Sequence, residues 1–324
     1  MGKYGGIEAR NHGYGRNMGY AGSTVISERF GDGHFETKNS LESRWNAFTD
    51  YCKSQEGIRD MRDVTANTVQ NYAQSVMESG YAASTAQNYI SAVNTVMDQA
   101  RDGGWATVSP SAATGTTRDN VRTEAPASLD RERVQAAVRD LQASGQDRAA
   151  AVVALARETG MRAEEAVKAD LGRLAREAEQ RGVVNIQEGT KGGRGSPIQG
   201  PREIAATSAV REAIAQAQAA SPAGSANLIG PGETYAQVRD GELAQARATL
   251  HQAGIGGYHD CRAAYACERY QQITGHQAPV VAGGRETPKE GPYGDRAARS
   301  VISQELGHSH DRTDVTASYL GSAA

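Results

Sequence analysis

The sequence predicts a mostly α-helical protein with one small β-hairpin, divided into two domains. Its 324 residues suffice for about two domains of ordinary size. Apolar residues recur at helical spacing in two long stretches, and a segment rich in Gly, Ser, Thr and Pro separates them. Only one segment, residues 183–187, has the β-branched content of a strand, and a glycine-rich turn follows it.

The first part of the chain divides into an arm, a helical domain and a linker. Residues 1–36 contain nine glycines and no apolar periodicity, so we expect a flexible arm. Residues 37–104 are expected to form a bundle of three or four helices, and residues 105–127 a linker. Three apolar stripes define the bundle: Leu41, Trp45, Phe48 and Cys52; Val69, Tyr72, Ala73, Val76 and Met77; and Ala86, Tyr89, Ile90, Val93 and Met97.

A second domain is predicted over residues 128–324. It begins with helices near Val134–Leu141, over 147–158 and over 163–180. The strand over 183–187, a turn over 192–195 and a return strand over 196–199 form the predicted hairpin. Further helices are expected over 202–220, 234–253, 259–273 and 295–306, with a loop insertion over 276–294.

The composition excludes several classes of protein. No apolar run approaches the ~20 residues of a bilayer span, and no secretory leader is visible, so a cytoplasmic location is expected. The three cysteines form no CxxC pair, which argues against a disulfide framework or a zinc site. The 35 basic residues, 29 of them Arg, face 38 acidic ones. Bulk charge therefore does not recruit a partner, and any anion must be bound by individually placed guanidiniums.

Six polar residues stand at the boundaries of predicted elements. Arg162 opens a helix, Lys191 lies at the hairpin turn, and His259 and Arg262 share a helical face at i, i+3. His308 follows a helix, and Tyr319 comes eleven residues later. Any one of them alone has an ordinary interpretation as a surface or packing residue.

Their order and contexts together resemble the tyrosine recombinase (phage integrase) family. TGMRAEE is similar to its first-arginine motif, with Glu165 in the place of the acidic neighbour. TKGG resembles the hairpin lysine and HDCR the HxxR box, although Ala263 stands where many relatives have a second His. LGHS followed by Tyr319 resembles the second histidine and the nucleophile. The resemblance covers about 128–324, and residues 37–104 are similar to the family's core-binding domain.

The resemblance implies a helical core-binding domain plus an α+β catalytic domain, and a site-specific DNA recombinase or integrase. Such an enzyme cleaves and rejoins DNA through a covalent 3′-phosphotyrosine, without metal, ATP or any cofactor, and serves a mobile genetic element. In these roles Arg162 and Arg262 hold the scissile phosphate, and Tyr319 attacks it. Lys191 protonates the leaving 5′-hydroxyl, His259 assists by acid–base chemistry, and His308 donates a hydrogen bond to the phosphate.

The implied partners are double-stranded DNA and further copies of the chain, as a tetramer on two DNA sites. An accessory DNA-bending protein or a directionality factor would also fit, and the implied location is the cytoplasm of a bacterium. Three alternatives stay open. One is a catalytically silent DNA-binding relative. Another is a topoisomerase, since DNA relaxation uses the same residues, although the helical core-binding domain favours recombination. The third is a metal-dependent hydrolase, suggested by the HxH pattern His308-Ser309-His310-Asp311.

Overall fold

The protein is predominantly helical, with one two-stranded sheet, as the sequence predicts. The computed structural model describes residues 5–190, 201–284, 291–309 and 312–322. Tertiary contacts divide the chain into a first unit, Met1–Asp119, and a second unit, Asn120–Ala324. The division falls inside the segment predicted to be a linker. Within the described ranges, no helix has both the length and the apolar character of a bilayer crossing.

The first unit is a helical bundle around an aromatic core. Trp45, Phe48 and Cys52 are fully buried, and Tyr72 packs edge-on against Phe48 with ring centroids 5.1 Å apart. The predicted stripes therefore do form a core. The helices of this unit are α1 (Met18–Phe30), α2 (Phe35–Tyr51), α3 (Ala66–Glu78), α4 (Ala83–Ala100) and α5 (Pro110–Thr114).

The prediction of a flexible arm over 1–36 is wrong for its described part, because helix α1 belongs to the bundle. Met18 and Val25 are buried in the core, and the Trp45 indole donates to the Met18 carbonyl at 3.0 Å. A Cβ at Gly22 would lie 1.8 Å from the Trp45 indole nitrogen. At least this glycine of the segment therefore permits close helix packing rather than flexibility.

The start of the predicted linker is also packed. Trp105 donates to the Asn94 side chain at 2.9 Å, and Asn94 in turn donates to the Val108 carbonyl at 2.8 Å. Both Trp105 and Val108 are buried against the bundle.

Two helices, α7 (Asp147–Thr159) and α13 (Tyr258–Thr274), form the centre of the second unit and pack against each other. Helix α7 also packs against α10 (Ser208–Ala220), and α13 packs against α15 (Asp295–Glu305) and α16 (Ala317–Leu320). Its core is one continuous cluster that includes Leu155, Ala156 and Ala263. Its helices are α6 (Arg131–Ala143), α7 (Asp147–Thr159), α8 (Ala163–Lys168), α9 (Leu171–Arg181), α10 (Ser208–Ala220), α11 (Tyr235–Asp240), α12 (Glu242–Gln252), α13 (Tyr258–Thr274), α14 (Pro279–Ala282), α15 (Asp295–Glu305) and α16 (Ala317–Leu320).

Two long predicted helices are each divided in the structure. The pattern over 163–180 becomes α8 and α9, because the Asp170 carboxylate accepts from the Arg173 backbone N–H at 2.8 Å and starts a new helix. The pattern over 234–253 becomes α11 and α12. The break is at Gly241, where an added Cβ would come within 2.7 Å of the Gln237 carbonyl oxygen.

The hairpin closes later than predicted. Strand β1 (Val183–Asn185) pairs antiparallel with β2 (Glu203–Ala205), with Val184 opposite Ile204. The predicted turn over 192–195 and return strand over 196–199 lie outside the described residues. Residues 203–205, predicted as the beginning of a helix, are a strand because they satisfy the backbone groups of β1.

Candidate active site

The turn between α7 and α8 presents Arg162. Gly160 ends α7 in the left-handed region at φ +67°, where an added Cβ would lie 2.6 Å from the Tyr265 ring. Arg162 then caps α8 together with Glu165. The Arg162 backbone N–H and its Nη1 donate to the two carboxylate oxygens of Glu165, each at 2.7 Å. The local sequence therefore fixes the direction of the Arg162 side chain through a carboxylate three residues later.

Glu165 is fully buried among three guanidiniums. Besides Arg162, Arg202 places Nη1 2.8 Å from Glu165 Oε2, and Arg262 places Nη1 3.7 Å from the same oxygen. Burial by itself would raise the pKa of Glu165, but the charges of Arg202, Arg262 and Arg162 lower it to about 2. The carboxylate is therefore ionised at neutral pH.

Helix α13 supplies Arg262, whose side chain has no exposed surface. Its Nη2 donates to the Leu306 carbonyl at 2.5 Å, and its Nη1 donates to the Gly160 carbonyl. The remaining donor, Nε, lies 3.1 Å from the phenolic oxygen of Tyr319. Burial lowers the pKa of Arg262 to about 10, which still leaves the group charged at neutral pH. Arg262 thus links the α7–α8 turn, the end of α15 and Tyr319.

Tyr319 lies on the short helix α16 and is 4% exposed. Its ring faces the guanidinium of Arg262, with 5.4 Å from the guanidinium carbon to the ring centroid. The ring of His259, one turn before Arg262 on α13, lies 5.8 Å from the Tyr319 ring between centroids. The phenol therefore sits between a cation and an imidazole.

The two histidines are neutral at physiological pH. His308 places Nε2 3.2 Å from Arg162 Nη2. Burial and the charges of Arg162 and Arg262 lower the pKa of His308 to about 4. Loss of hydration, with the charges of Arg262 and Arg162, also lowers the pKa of His259. Because a guanidinium only donates, Nε2 of His308 accepts, which places the ring proton on Nδ1.

A second network holds α13 and α16 in place. Both the backbone N–H and the hydroxyl of Ser128 donate to Asp260 Oδ2, at 2.9 and 2.8 Å. Arg122 pairs with the other oxygen of Asp260, and its backbone N–H donates to the Ala317 carbonyl at 2.9 Å. The segment before α6 therefore anchors both the helix of Arg262 and the helix of Tyr319.

The structure brings five of the six predicted site residues together: Arg162, His259, Arg262, His308 and Tyr319. Lys191 lies outside the described residues, as do His310 and Asp311 of the HxH pattern. Among the residues that the structure does describe, none form a group of three or more metal-ligating side chains.

Arg202 is a residue of the candidate site that no sequence motif indicates. Arg202 precedes β2, in a stretch that we expected to begin a helix, and its side chain reaches the site only through the fold. Its signal in the sequence is slight, since it is one of 29 arginines and stands in no motif that we recognised.

The site has an excess of positive charge. Three guanidiniums, Arg162, Arg202 and Arg262, surround the single carboxylate of Glu165, while both histidines are neutral. An anion bound beside Arg162 and Tyr319 would compensate this excess. A phosphodiester has the charge and the oxygen geometry that a guanidinium fork binds.

Known proteins resemble this chain in sequence profile and in fold. A profile of the integrase family matches residues 116–268. The integrase of transposon Tn1549, solved with transposon right end DNA, superposes with a TM-score of 0.59 at 15% identity, over 92% of this chain and 94% of that one. No curated protein sequence matches the chain.

Lambda integrase is similar in fold as well. Its dimer bound to a COC′ core site superposes with a TM-score of 0.57 at 16% identity, over 93% of this chain and 75% of that one. Its tetramer bound to a Holliday junction gives a TM-score of 0.55 at 13% identity, over 90% and 75%.

Proposed function

We propose that the chain is a site-specific DNA recombinase of the tyrosine recombinase family and that it serves a mobile genetic element. It cleaves and rejoins DNA through a covalent 3′-phosphotyrosine intermediate. One observation carries the proposal. The buried phenol of Tyr319 accepts a hydrogen bond from Arg262 beside the Arg162–His308 pair, in a site with excess positive charge.

In the cleavage step, the phenolic oxygen of Tyr319 attacks the scissile phosphorus. A Tyr319 Oη–P bond forms and the P–O5′ bond breaks. Arg262 Nε, already 3.1 Å from the phenolic oxygen, stabilises the phenolate, and it lies beside the phosphate oxygens once the new bond has formed. Arg162, held by Glu165, directs its Nη2 toward the phosphate.

Protons move to and from the reacting oxygens. His259 is neutral because its pKa is lowered, so it can accept the Tyr319 proton. The leaving 5′-oxygen needs a proton, and the family resemblance assigns that role to Lys191. His308 orients Arg162 through Nε2 and keeps its Nδ1–H for a phosphate oxygen. A 5′-hydroxyl attacking the phosphotyrosine reverses these steps, so rejoining needs no ATP.

We also propose the partners that such a reaction requires. Double-stranded DNA is the substrate, and a tetramer of the chain on two DNA sites would exchange strands between them. The likeness to DNA-bound integrases of a transposon and of lambda supports this assembly. An accessory DNA-bending protein or directionality factor would fit the same system. The reaction would take place in the bacterial cytoplasm, where the DNA is.

Covalent capture selects the DNA site and tests the proposal in the same experiment. The probe is a pool of duplexes with a randomised core, each nicked in one strand so that the cleaved end diffuses away. The wild-type protein should form an adduct that survives SDS and that enriches one sequence over successive rounds. Tyr319→Phe, which retains the ring but lacks the nucleophile, should bind the enriched duplex and form no adduct.

Three other outcomes would contradict parts of the proposal. Sequence-specific binding by the wild type without any adduct would indicate a DNA-binding relative that has lost cleavage. An adduct formed by Tyr319→Phe would mean that another residue is the nucleophile. Cleavage that occurs only with added divalent metal would support a metal-dependent hydrolase.

A further inference from the structure

We infer that Arg202 is a positioning residue for the phosphate-binding guanidinium of Arg162. The inference rests on the proposed recombinase activity. It adds a residue that lies outside every motif of the sequence and that cannot itself reach DNA, since it is 6% exposed.

All donor groups of Arg202 point into the protein. Its Nε donates to the Glu305 carbonyl at 2.6 Å, and its Nη2 donates to the Gly160 carbonyl at 3.2 Å. Its Nη1 lies 2.8 Å from Glu165 Oε2. A guanidinium engaged on three sides has no free face for a phosphate, so Arg202 acts through its neighbours.

Those neighbours are the groups that fix Arg162. Glu165 Oε2, which Arg202 contacts, also accepts the backbone N–H of Arg162, and the other oxygen of Glu165 holds Arg162 Nη1. The Gly160 carbonyl belongs to the turn that leads into Arg162. Glu305 ends α15, three residues before His308, which contacts Arg162 from the other side. One buried side chain therefore ties together both supports of Arg162.

Removal of Arg202 would leave Glu165 free to turn toward Arg262 and would loosen the Arg162 fork. A misplacement of about 1 Å at a reacting centre costs on the order of 10²-fold in rate. Arg162 acts on the negative charge of the phosphate. The rate should therefore fall on a charged phosphate and should not fall to the same extent on an uncharged one.

A charge-neutral substrate separates this role from a structural one. In the enriched nicked duplex, the scissile phosphate is replaced by a methylphosphonate, which lacks one negative oxygen. Adduct formation is measured on both substrates, and the ratio of the two rates reports how strongly the enzyme uses the charge. Arg162→Ala should lower this ratio. Arg202→Met should lower the phosphodiester rate on the order of 10²-fold and lower the ratio in the same way.

Arg157 provides the matched control. It is as deeply buried, at 2% exposed, but it pairs with Glu268 and donates to the Ser128 carbonyl, and among the described residues it makes no hydrogen bond to Arg162, Glu165 or Gly160. Arg157→Met should leave the ratio at the wild-type value. If Arg202→Met leaves the ratio at the wild-type value, as is expected of Arg157→Met, Arg202 is structural and the inference is wrong.

Arg202→Lys keeps the experiment decisive if the methionine variant does not fold. Lysine retains the charge beside Glu165 but cannot hold both carbonyls, so an intermediate ratio is expected. A ratio and rate equal to those of the wild type would show that charge alone matters and would overturn the inference. Absence of an adduct with wild-type protein would instead contradict the proposed function itself.

Discussion

Two arginine clusters in the second unit differ in their balance of charge. In the first, Arg157 and Arg131 pair with Glu268 and Glu158, so two cations meet two anions. In the active-site cluster, Arg162, Arg202 and Arg262 share the single carboxylate of Glu165. Arg202 and Arg262 also donate to backbone carbonyls, and these acceptors neutralise no charge.

The difference in charge balance distinguishes a cluster that supports the fold from one that we propose binds an anion. In the balanced cluster the charges cancel within the protein, and the ion pairs hold helices together. In the unbalanced cluster positive charge is left over, and in the proposed reaction the bound phosphate would neutralise it. Burial, together with the charges of the neighbouring guanidiniums, lowers the pKa of Arg262 to about 10 and that of His308 to about 4. Single substitutions can test this contrast, because each cluster should fail in its own way.

The largest effect is expected from Arg262→Ala. Loss of the donor to the Tyr319 oxygen should slow adduct formation roughly 10²–10³-fold, as for other removed oxyanion donors. Arg131→Ala removes a guanidinium from the balanced cluster and should leave the rate close to that of the wild type. Rates are measured on the enriched nicked duplex at saturating protein. Equal losses in the two variants would show that the two clusters do not differ in function.

Arg157→Ala should reduce the stability of the protein rather than the rate of adduct formation. It leaves Glu268 without its buried partner, and the free energy of unfolding should fall by about 3 kcal/mol. Urea denaturation measures this change, and a lower cleavage rate is expected only where part of the protein is unfolded. Arg162→Ala should cost less stability, because it relieves repulsion among three cations. A larger loss for Arg162→Ala than for Arg157→Ala would contradict the assignment of the two clusters.

Acid should weaken the active-site cluster through Glu165. Its pKa in the folded protein, about 2, lies below its ordinary value. The ionised carboxylate therefore contributes stability at neutral pH, and this contribution is lost as the pH falls from about 4.5 through 2. The stability difference between wild type and Glu165→Gln should amount to roughly 2–3 kcal/mol at pH 7 and shrink below pH 4. A difference that stays constant over this range would argue against an ionised Glu165.

The smallest expected effect comes from His308. Its folded-state pKa of about 4 lies below the ordinary value of 6.5. The unfolded chain therefore takes up a proton first, so stability falls as the pH drops from about 6.5 through 4. Solvent reaches the ring and reduces the size of the effect. His308→Gln should remove this part of the pH dependence, and NMR titration of the imidazole should give a midpoint below 6. A midpoint above 6.5 would mean that the neighbouring guanidiniums do not act on the ring.

The sequence alone predicted the helical class, the apolar stripes of the first unit and the candidate site residues. Periodicity is a local property, and the motifs around Arg162, Arg262, His308 and Tyr319 are short, so both can be read along the chain. The same local view misjudged residues 18–30. There a glycine-rich segment is a packed helix because Gly22 lies against Trp45, a contact that local patterns do not show.

Only the tertiary structure decided how the site is held. Arg202 reaches Glu165 from the residue just before β2, and Arg122 and Ser128 fix Asp260 from more than a hundred residues away. The charge imbalance around Glu165 likewise exists only once three distant guanidiniums meet one carboxylate. Arginine is identical in every sequence context, and only its partners in the folded protein decide whether its charge is balanced or left in excess.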